Sequence, residues 1–347
     1  MSKVKTKKSR VWRYFVYEFK KNLWAFLIIT ALCLIPYVAQ LSTMDLRYRI
    51  GDVTEDGEFF WRTYYICDPN LSYVFGALIL LCFIVPMLTY SFKMNKRGVD
   101  GYYSLPLRKE KLYLVKTLVG LFLVLAPFTI AYWGGFLTLL CRKGNPYEMV
   151  WYVPAYFGFL VLAVFTYGIN AFVFIRANRI WDGLVFMLAY ALMGLVLVSF
   201  VEDVFNVTIR YHHEQNFSTW GGMLSFCENM TDYILGKKAD WSPWTFIYPM
   251  VVGGVAWALF FCSLRFEKGE NAEQTSDSWF GYRILIPFYT AMLLGLSEIN
   301  VVNVGLAAVA AIVATVVYRH KFRFHWKYWI MIGVGVFVGI VFSVFLH

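Results

Sequence analysis

Charge is scarce in this chain: Asp, Glu, Lys and Arg make up 16% of its 347 residues, against roughly 25% in soluble domains. With 59% of residues hydrophobic, that scarcity excludes an intrinsically disordered segment, which needs low hydrophobicity and high charge. Paired cysteines are lacking too. Cys33, Cys67, Cys82, Cys141, Cys227 and Cys262 show no CxxC spacing and no histidine pattern beside them, which excludes a zinc ribbon and a secreted disulfide scaffold. Cys33, Cys82 and Cys262 sit in apolar runs, where a thiol acts as a small buried hydrophobe. No G-x-x-x-x-G-K-[ST] stretch occurs, so the chain has no phosphate-cradling loop of its own. G-x-S-x-G and H-E-x-x-H are absent, as are paired carboxylates within the apolar runs. The chain carries none of the usual hydrolytic constellations, and we expect no enzymatic activity.

Long apolar sequence is abundant instead. A hydrocarbon core about 30 Å thick takes about 20 apolar residues per helix. Nine runs are candidates: Leu23–Leu41, Leu71–Phe92, Leu112–Leu140, Trp151–Ile175, Gly183–Val201, Ile247–Leu264, Ile284–Asn300, Val302–Tyr318 and Tyr328–Leu346. The fold class this predicts is an all-α integral membrane protein, a polytopic helix bundle. No small-residue cleavage signal follows the first run, which therefore reads as a retained anchor.

The net charge of +10 would suggest nucleic acid in a soluble protein, but here it divides by side. With the amino terminus inside, segments 1–23, 93–111, 176–182, 265–283 and 319–327 hold 23 of the 32 Lys and Arg, while segments 42–70, 142–150 and 202–246 hold eight. Basic residues concentrate on cytoplasmic loops, so the amino terminus is expected inside, the carboxy terminus outside, and no nucleic-acid partner. The stretch 284–318 must cross an even number of times, as a helical hairpin or a re-entrant loop. Its polar break holds Ser297, Glu298 and Asn300, and Glu298 reads as part of a polar tip at the outer surface.

The outer segments 42–70 and 202–246 carry six acids and three bases each, and the second has nine aromatic residues. So aromatic a loop is expected to form a folded cap or interfacial helices. His212, His213 and Glu214, with Glu202 and Asp203 nearby, are the best metal candidates there. Adjacent histidines do not share a helical face, and no metal site is expected. Asn206, Asn216 and Asn229 stand in N-x-[ST] sequons.

Two inside segments carry more specific patterns. Trp12, Phe15, Val16, Phe19 and Leu23 follow one another at +3, +4, +7 and +11 from Trp12, with Arg13, Lys20 and Lys21 on other faces. This is one apolar stripe with basic flanks, as in a helix lying in the membrane interface. In the loop 93–111, Asp100 is placed to cap a short helix, Pro106 to end it, and Arg108 to Lys111 to start the next. Tyr102, Tyr103 and Leu105 would be available to dock on a cytoplasmic partner.

The run Lys96-Arg97-Gly-Val-Asp100-Gly-Tyr102-Tyr-Ser104-Leu105-Pro106, followed by Arg108 and Lys109, resembles a loop of bacterial exporter-type ABC transporter permeases. In that family the loop is the coupling helix that sits in a cleft of the ATPase subunit. The resemblance carries this role to Arg97, Asp100, Tyr102, Ser104, Leu105, Pro106 and Arg108. Glu270-Asn-Ala272 looks like a second family motif, an E-x-A-G tail, with Glu273 standing where the glycine is expected.

The resemblance implies a six-span exporter-type core over 24–264, holding the coupling loop 93–111 and the extracellular loop 202–246. The interfacial helix within 1–23 precedes it, and a cytoplasmic loop 265–283 and about three further spans in 284–347 follow. It also implies a permease subunit in the bacterial cytoplasmic membrane that exports an amphipathic peptide, drug or lipid-like substrate. Its partners would be ABC ATPase subunits that bind ATP and Mg, a second permease half, identical or homologous, and membrane lipid. No cofactor would reside in this chain.

Two other classes compete. A lipid-modifying membrane enzyme should show a polar catalytic cluster near one interface, and none is found. A membrane sensor should carry a cytoplasmic signalling domain, for which the inside loops 93–111 and 265–283 are too short.

Overall fold

The computed structural model describes residues 2–43, 46–53, 59–66, 71–141, 149–205, 221–234, 244–264, 272–274, 276, 278–295, 300–319 and 326–346. In chain order these form α1 (Ser2–Lys21), α2 (Leu23–Thr43), β1 (Leu46–Val53), β2 (Phe59–Ile66), α3 (Leu71–Tyr90), a 3-10 turn at Ser91–Met94 and α4 (Lys96–Tyr103). They continue with α5 (Lys109–Cys141), α6 (Tyr152–Ile175), α7 (Ile180–Phe205), α8 (Gly221–Ile234), α9 (Trp244–Ser263), α10 (Tyr282–Gly295), α11 (Val301–Arg319) and α12 (Trp326–Leu346).

Among the described residues, each of the nine apolar runs overlaps a helix. Five helical stretches among the described residues are long and apolar enough to cross a membrane: Leu23–Thr43, Leu71–Met94, Lys109–Cys141, Tyr152–Ile175 and Trp326–Val344. Shorter apolar stretches lie at Ile180–Gly194, Pro249–Ser263, Tyr282–Gly295 and Val302–Val316. The helices turn apolar side chains outward in stripes. On α3, Leu80, Ile84 and Leu88 are 59%, 44% and 53% exposed. That i, i+4, i+8 row would be an exposed hydrophobic ridge in water, and it is the surface a helix offers to lipid. Cys33 and Cys82 are buried as expected, whereas Cys262 is exposed on α9. The architecture is that of a polytopic helical membrane protein.

One departure from an all-helical chain lies in segment 42–70. β1 and β2 pair antiparallel, from Leu46 opposite Ile66 to Val53 opposite Phe59. β2 reads Phe59-Phe-Trp-Arg-Thr-Tyr-Tyr-Ile66, an aromatic and β-branched run of the kind that packs well on a pleated surface. It is too short for the helical periodicity that marks the spans.

The chain divides into two compact units, and α3, α5, α6 and α8 contribute residues to both. The first comprises Met1–Val85, Val115–Val164 and Met223–Ser242. Its core is aromatic: Phe159 meets Phe75 at 5.6 Å, Phe128 at 5.9 Å and Phe226 of α8 at 5.0 Å. Such pairs add about 0.5–1.5 kcal/mol each beyond the area they bury. Tyr132 donates to the carbonyl of Tyr152 at 2.8 Å, which satisfies a buried hydroxyl. On α8, Phe226, Cys227, Met230 and Ile234 are buried, and Tyr233 stacks on Trp151 at 4.8 Å. This part of the segment 202–246 is thus a packed helix.

The second unit comprises Pro86–Leu114, Phe165–Gly222 and Pro243–His347. Here α10, α11 and α12 bury Ile286, Ala311 and Ile332 together, and α10 and α12 also pack on α7. Within 284–318 the described residues include two helices, α10 and α11. The α10–α12 contact is close because Gly335 and Gly339 face it. A Cβ on Gly335 would stand 2.9 Å from the Pro287 Cα, and one on Gly339 2.7 Å from the Leu294 Cβ. This is the G-x-x-x-G arrangement by which membrane helices approach backbone to backbone.

Candidate functional site

In the second unit, α4 is eight residues long and has two faces. At 100° per residue, Gly98, Val99, Tyr102 and Tyr103 fall on one arc, and Lys96, Arg97, Asp100, Gly101 and Ser104 on the other. The first arc is buried or half-buried and the second exposed. The inner arc rests on an aromatic bed. Phe92 packs on Tyr102 at 4.7 Å and on Tyr113 at 5.7 Å. Tyr103 and Tyr113 share a hydroxyl contact of 3.2 Å, and Lys109 lies 4.6 Å over the Tyr103 ring. Gly98 permits this seat, because a Cβ there would stand 2.5 Å from the Phe92 carbonyl oxygen.

The helix starts one turn earlier than Asp100 would place it. Asn95 is the N-cap, with extended backbone and Oδ1 accepting from the Arg97 amide at 3.0 Å. Asp100 lies mid-helix, exposed, and its carbonyl accepts from the Ser104 amide at 3.1 Å. Asn and Asp cap equally well, and Asn95 wins because it directly follows the 3-10 turn. The helix stops at Tyr103, before Pro106, since the residue ahead of a proline is pushed out of the helical region. Tyr102 and Tyr103, expected to be free for docking, are instead half-buried supports of α4. Leu105 is half-buried, whereas Pro106 and Arg108 are exposed beside Asp100, Arg97 and Ser104.

Segments remote in sequence brace this helix. Glu273 approaches its amino-terminal end: Oε1 accepts from the Lys96 amide at 3.3 Å and Oε2 stands 3.8 Å from the Lys96 Nζ. A carboxylate here meets an amide that has no partner within the helix, at the positive end of the helix dipole. Lys93, almost fully buried, donates its ammonium to the carbonyl of Ile175, the last residue of α6. A cation at a helix carboxy terminus is the complementary arrangement.

Glu273 also has φ 66°, left-handed backbone that side chains other than glycine rarely adopt, at a cost of about 1–2 kcal/mol. A glycine would enter this turn freely, so the turn survives the substitution noted in the sequence. Its amide donates to the Asn178 carbonyl at 3.1 Å, and its carbonyl accepts from the Arg179 Nε at 3.1 Å. The buried Ser276 accepts from the Asn178 amide at 2.8 Å and donates to Asp182 at 2.6 Å. Tyr282 donates to the other Asp182 oxygen at 3.1 Å, and Tyr318 to the Ser276 carbonyl at 2.6 Å. Glu273 and Ser276 therefore join α4 to the α6–α7 turn, α7 and α11, while Tyr282 of α10 bonds the same Asp182 of α7. Lys93, Asp182, Glu273, Ser276 and Tyr318 were not foreseen from the sequence; only the mismatch at Glu273 signalled them.

The interfacial stripe belongs to the first unit. Trp12 is 65% exposed and stacks on Phe15 at 5.6 Å, while Phe15, Val16 and Phe19 are half-buried. Phe19 packs edge-on against Phe122 at 5.0 Å. The deepest face of α1 lies roughly 140° around the helix from the stripe, at Tyr14 and Glu18. There Glu18 pairs with Lys116 of α5 at 3.3 Å, side chains 2% and 5% exposed, and accepts from the Tyr14 hydroxyl at 2.9 Å. The apolar stripe read from the sequence thus remains largely open, and a buried ion pair holds the helix.

Glu270, Glu298, His212, His213, Glu214, Asn206 and Asn216 lie outside the described residues. Among the described residues no group of three His, Cys, Asp or Glu is placed to hold a metal ion. No known protein family, curated protein or solved structure matches the chain.

Proposed function

We propose that the chain is the permease subunit of an ATP-binding cassette exporter, with α4 as the element on which a separate ATPase docks. The observation that carries this reading is the build of α4. A short helix between two apolar helices is propped by aromatic residues from below and presents Lys96, Arg97, Asp100 and Ser104 outward. Such a helix can pass a push from a partner into the bundle as a rigid body. A flexible basic loop obeying the charge rule alone needs neither a seated Gly98 nor a remote carboxylate at its end.

In this reading ATP and Mg are bound by the partner, two permease halves and two ATPases form the complex, and the substrate is an amphipathic peptide, drug or lipid-like molecule. The chain lies in a bacterial cytoplasmic membrane with its amino terminus inside and its carboxy terminus outside. Glu270 contributes to the same ATPase contact.

The test is co-purification with a candidate ABC ATPase, comparing wild type with Asp100→Ala and Pro106→Gly. Both substitutions should lower ATPase stimulation or assembly while membrane insertion stays intact. Unchanged stimulation in both overturns the assignment.

A further inference from the structure

We propose that Glu273 is a positioning residue that latches α4 to the rest of its unit, so that movement of α4 reaches α7 and the carboxy-terminal helix α11 through the strap formed by Glu273 and Ser276. This rests on the transporter reading above and gives a role to a segment which that reading leaves idle.

Three groups of one residue make three different connections. The carboxylate takes the amino-terminal end of α4, 177 residues away in sequence. The amide and the carbonyl are both committed to the α6–α7 turn, through Asn178 and Arg179. A residue other than glycine in left-handed backbone is uncommon, and such conformations persist where the surroundings enforce them. What the glutamate adds over a glycine, which would keep the turn, is the carboxylate on Lys96.

The two ends of the strap differ in strength. Toward the bundle the links are short and buried: Ser276 and Tyr318 are 1% and 5% exposed, and the bonds to Asp182 and from Tyr318 are 2.6 Å each. Toward α4 the link is open, with Lys96 and Glu273 side chains 66% and 52% exposed at 3.8 Å. An exposed pair is weak and readily broken. The strap is therefore fixed on the bundle side and releasable on the α4 side, as a latch must be if α4 shifts when a partner engages it.

The experiment uses the full chain in lipid nanodiscs, alone and with the co-expressed ATPase, comparing wild type, Glu273→Gly and Glu273→Gln. Glycine relieves the left-handed backbone, so its melting temperature should match or exceed that of wild type. Amide exchange over residues 96–103 should nonetheless rise roughly threefold as the first turn of α4 loses its carboxylate. ATPase stimulation should fall with it, and glutamine, which still accepts from the Lys96 amide, should fall between the two.

Exchange over 96–103 that is unaltered in Glu273→Gly overturns the latch, as does faster exchange with full stimulation. A lower melting temperature with exchange raised throughout the second unit also overturns it, since Glu273 would then serve only the fold. A wild-type chain that stimulates no ATPase overturns the transporter reading and the coupling role with it, while the exchange measurement on the chain alone still decides whether α4 is latched.

Discussion

Removing one partner of the Glu18–Lys116 pair should destabilise the protein far more than removing both. The two charged groups stand 3.3 Å apart with side chains 2% and 5% exposed. Tyr14 adds a hydroxyl bond to the same carboxylate at 2.9 Å. Burying two charges costs several kcal/mol per ion, and their attraction repays that cost only while both are present. Glu18→Leu leaves the Lys116 ammonium buried without its counter-charge and the Tyr14 hydroxyl without its acceptor, a loss of about 3–5 kcal/mol. Lys116→Met should cost about 3 kcal/mol, since Glu18 keeps the Tyr14 bond. The double variant should return to within about 1 kcal/mol of wild type, because an apolar pair of similar volume replaces a charged one. The coupling energy is then at least about 5 kcal/mol. Reversible unfolding in mixed micelles with rising dodecyl sulfate, followed by tryptophan fluorescence, measures all four proteins. The exposed Lys96–Glu273 pair serves as the control, since Lys96→Ala should cost under about 1 kcal/mol in the same assay. If both single variants stay within about 1 kcal/mol of wild type, or the double loses as much as the two together, the pair is not an internal tie and the reasoning fails.

Further outcomes follow from contacts within the units. Gly98→Ala should destabilise by about 1–3 kcal/mol, because the new methyl group would meet the Phe92 carbonyl at 2.5 Å. Gly101→Ala on the exposed arc of the same helix meets nothing within 4 Å and should stabilise by about 0.5–1 kcal/mol. Equal effects of the two in unfolding by dodecyl sulfate would show that α4 is not seated as described. Gly339→Leu should separate α10 from α12 and expose the Pro287–Gly295 region to limited proteolysis, whereas Gly333→Ala, with nothing within 4 Å, should leave cleavage unchanged. Tyr318→Phe should cost about 1–3 kcal/mol by leaving the buried Ser276 carbonyl without this donor, and thermal unfolding of the full chain reads it. A reporter fused after His347 should be active outside the cytoplasm, and cytoplasmic activity would overturn the sidedness taken from the basic residues.

The helical part of the fold can be read from the sequence because hydrocarbon imposes one demand on every span, that the backbone satisfy itself within the segment. A run such as Leu71–Phe92 therefore announces its helix without regard to its neighbours, and it does become α3. The hairpin of Leu46–Val53 and Phe59–Ile66 gives no such signal. Each strand spans eight residues, and strand preference depends on cross-strand partners that the pattern of a single segment does not specify. The G-x-x-x-G of Gly335 and Gly339 was open to reading, but its choice of α10 as the facing helix depends on packing of distant segments.

For the site, residue type and role separate in the same way. The aromatic residues of the 93–111 loop look from the sequence like contacts offered to a partner, because Tyr is enriched at interfaces. In the helix that Asn95 caps, Val99, Tyr102 and Tyr103 share the buried or half-buried arc, and the charged residues are left outward. The amphipathic helix α1 shows the complementary failure, since hydrophobic phase places its stripe at Trp12 and Phe19 while the deepest contact is a glutamate. A periodicity of apolar residues is blind to a buried charge, whose partner lies 98 residues away. Glu273 combines both difficulties, being polar, remote from the helix it caps, and held in backbone that glycine would adopt more easily. The sequence carried only one trace of it, a side chain where the resemblance expects none, and that trace locates the connection between α4 and the helices behind it.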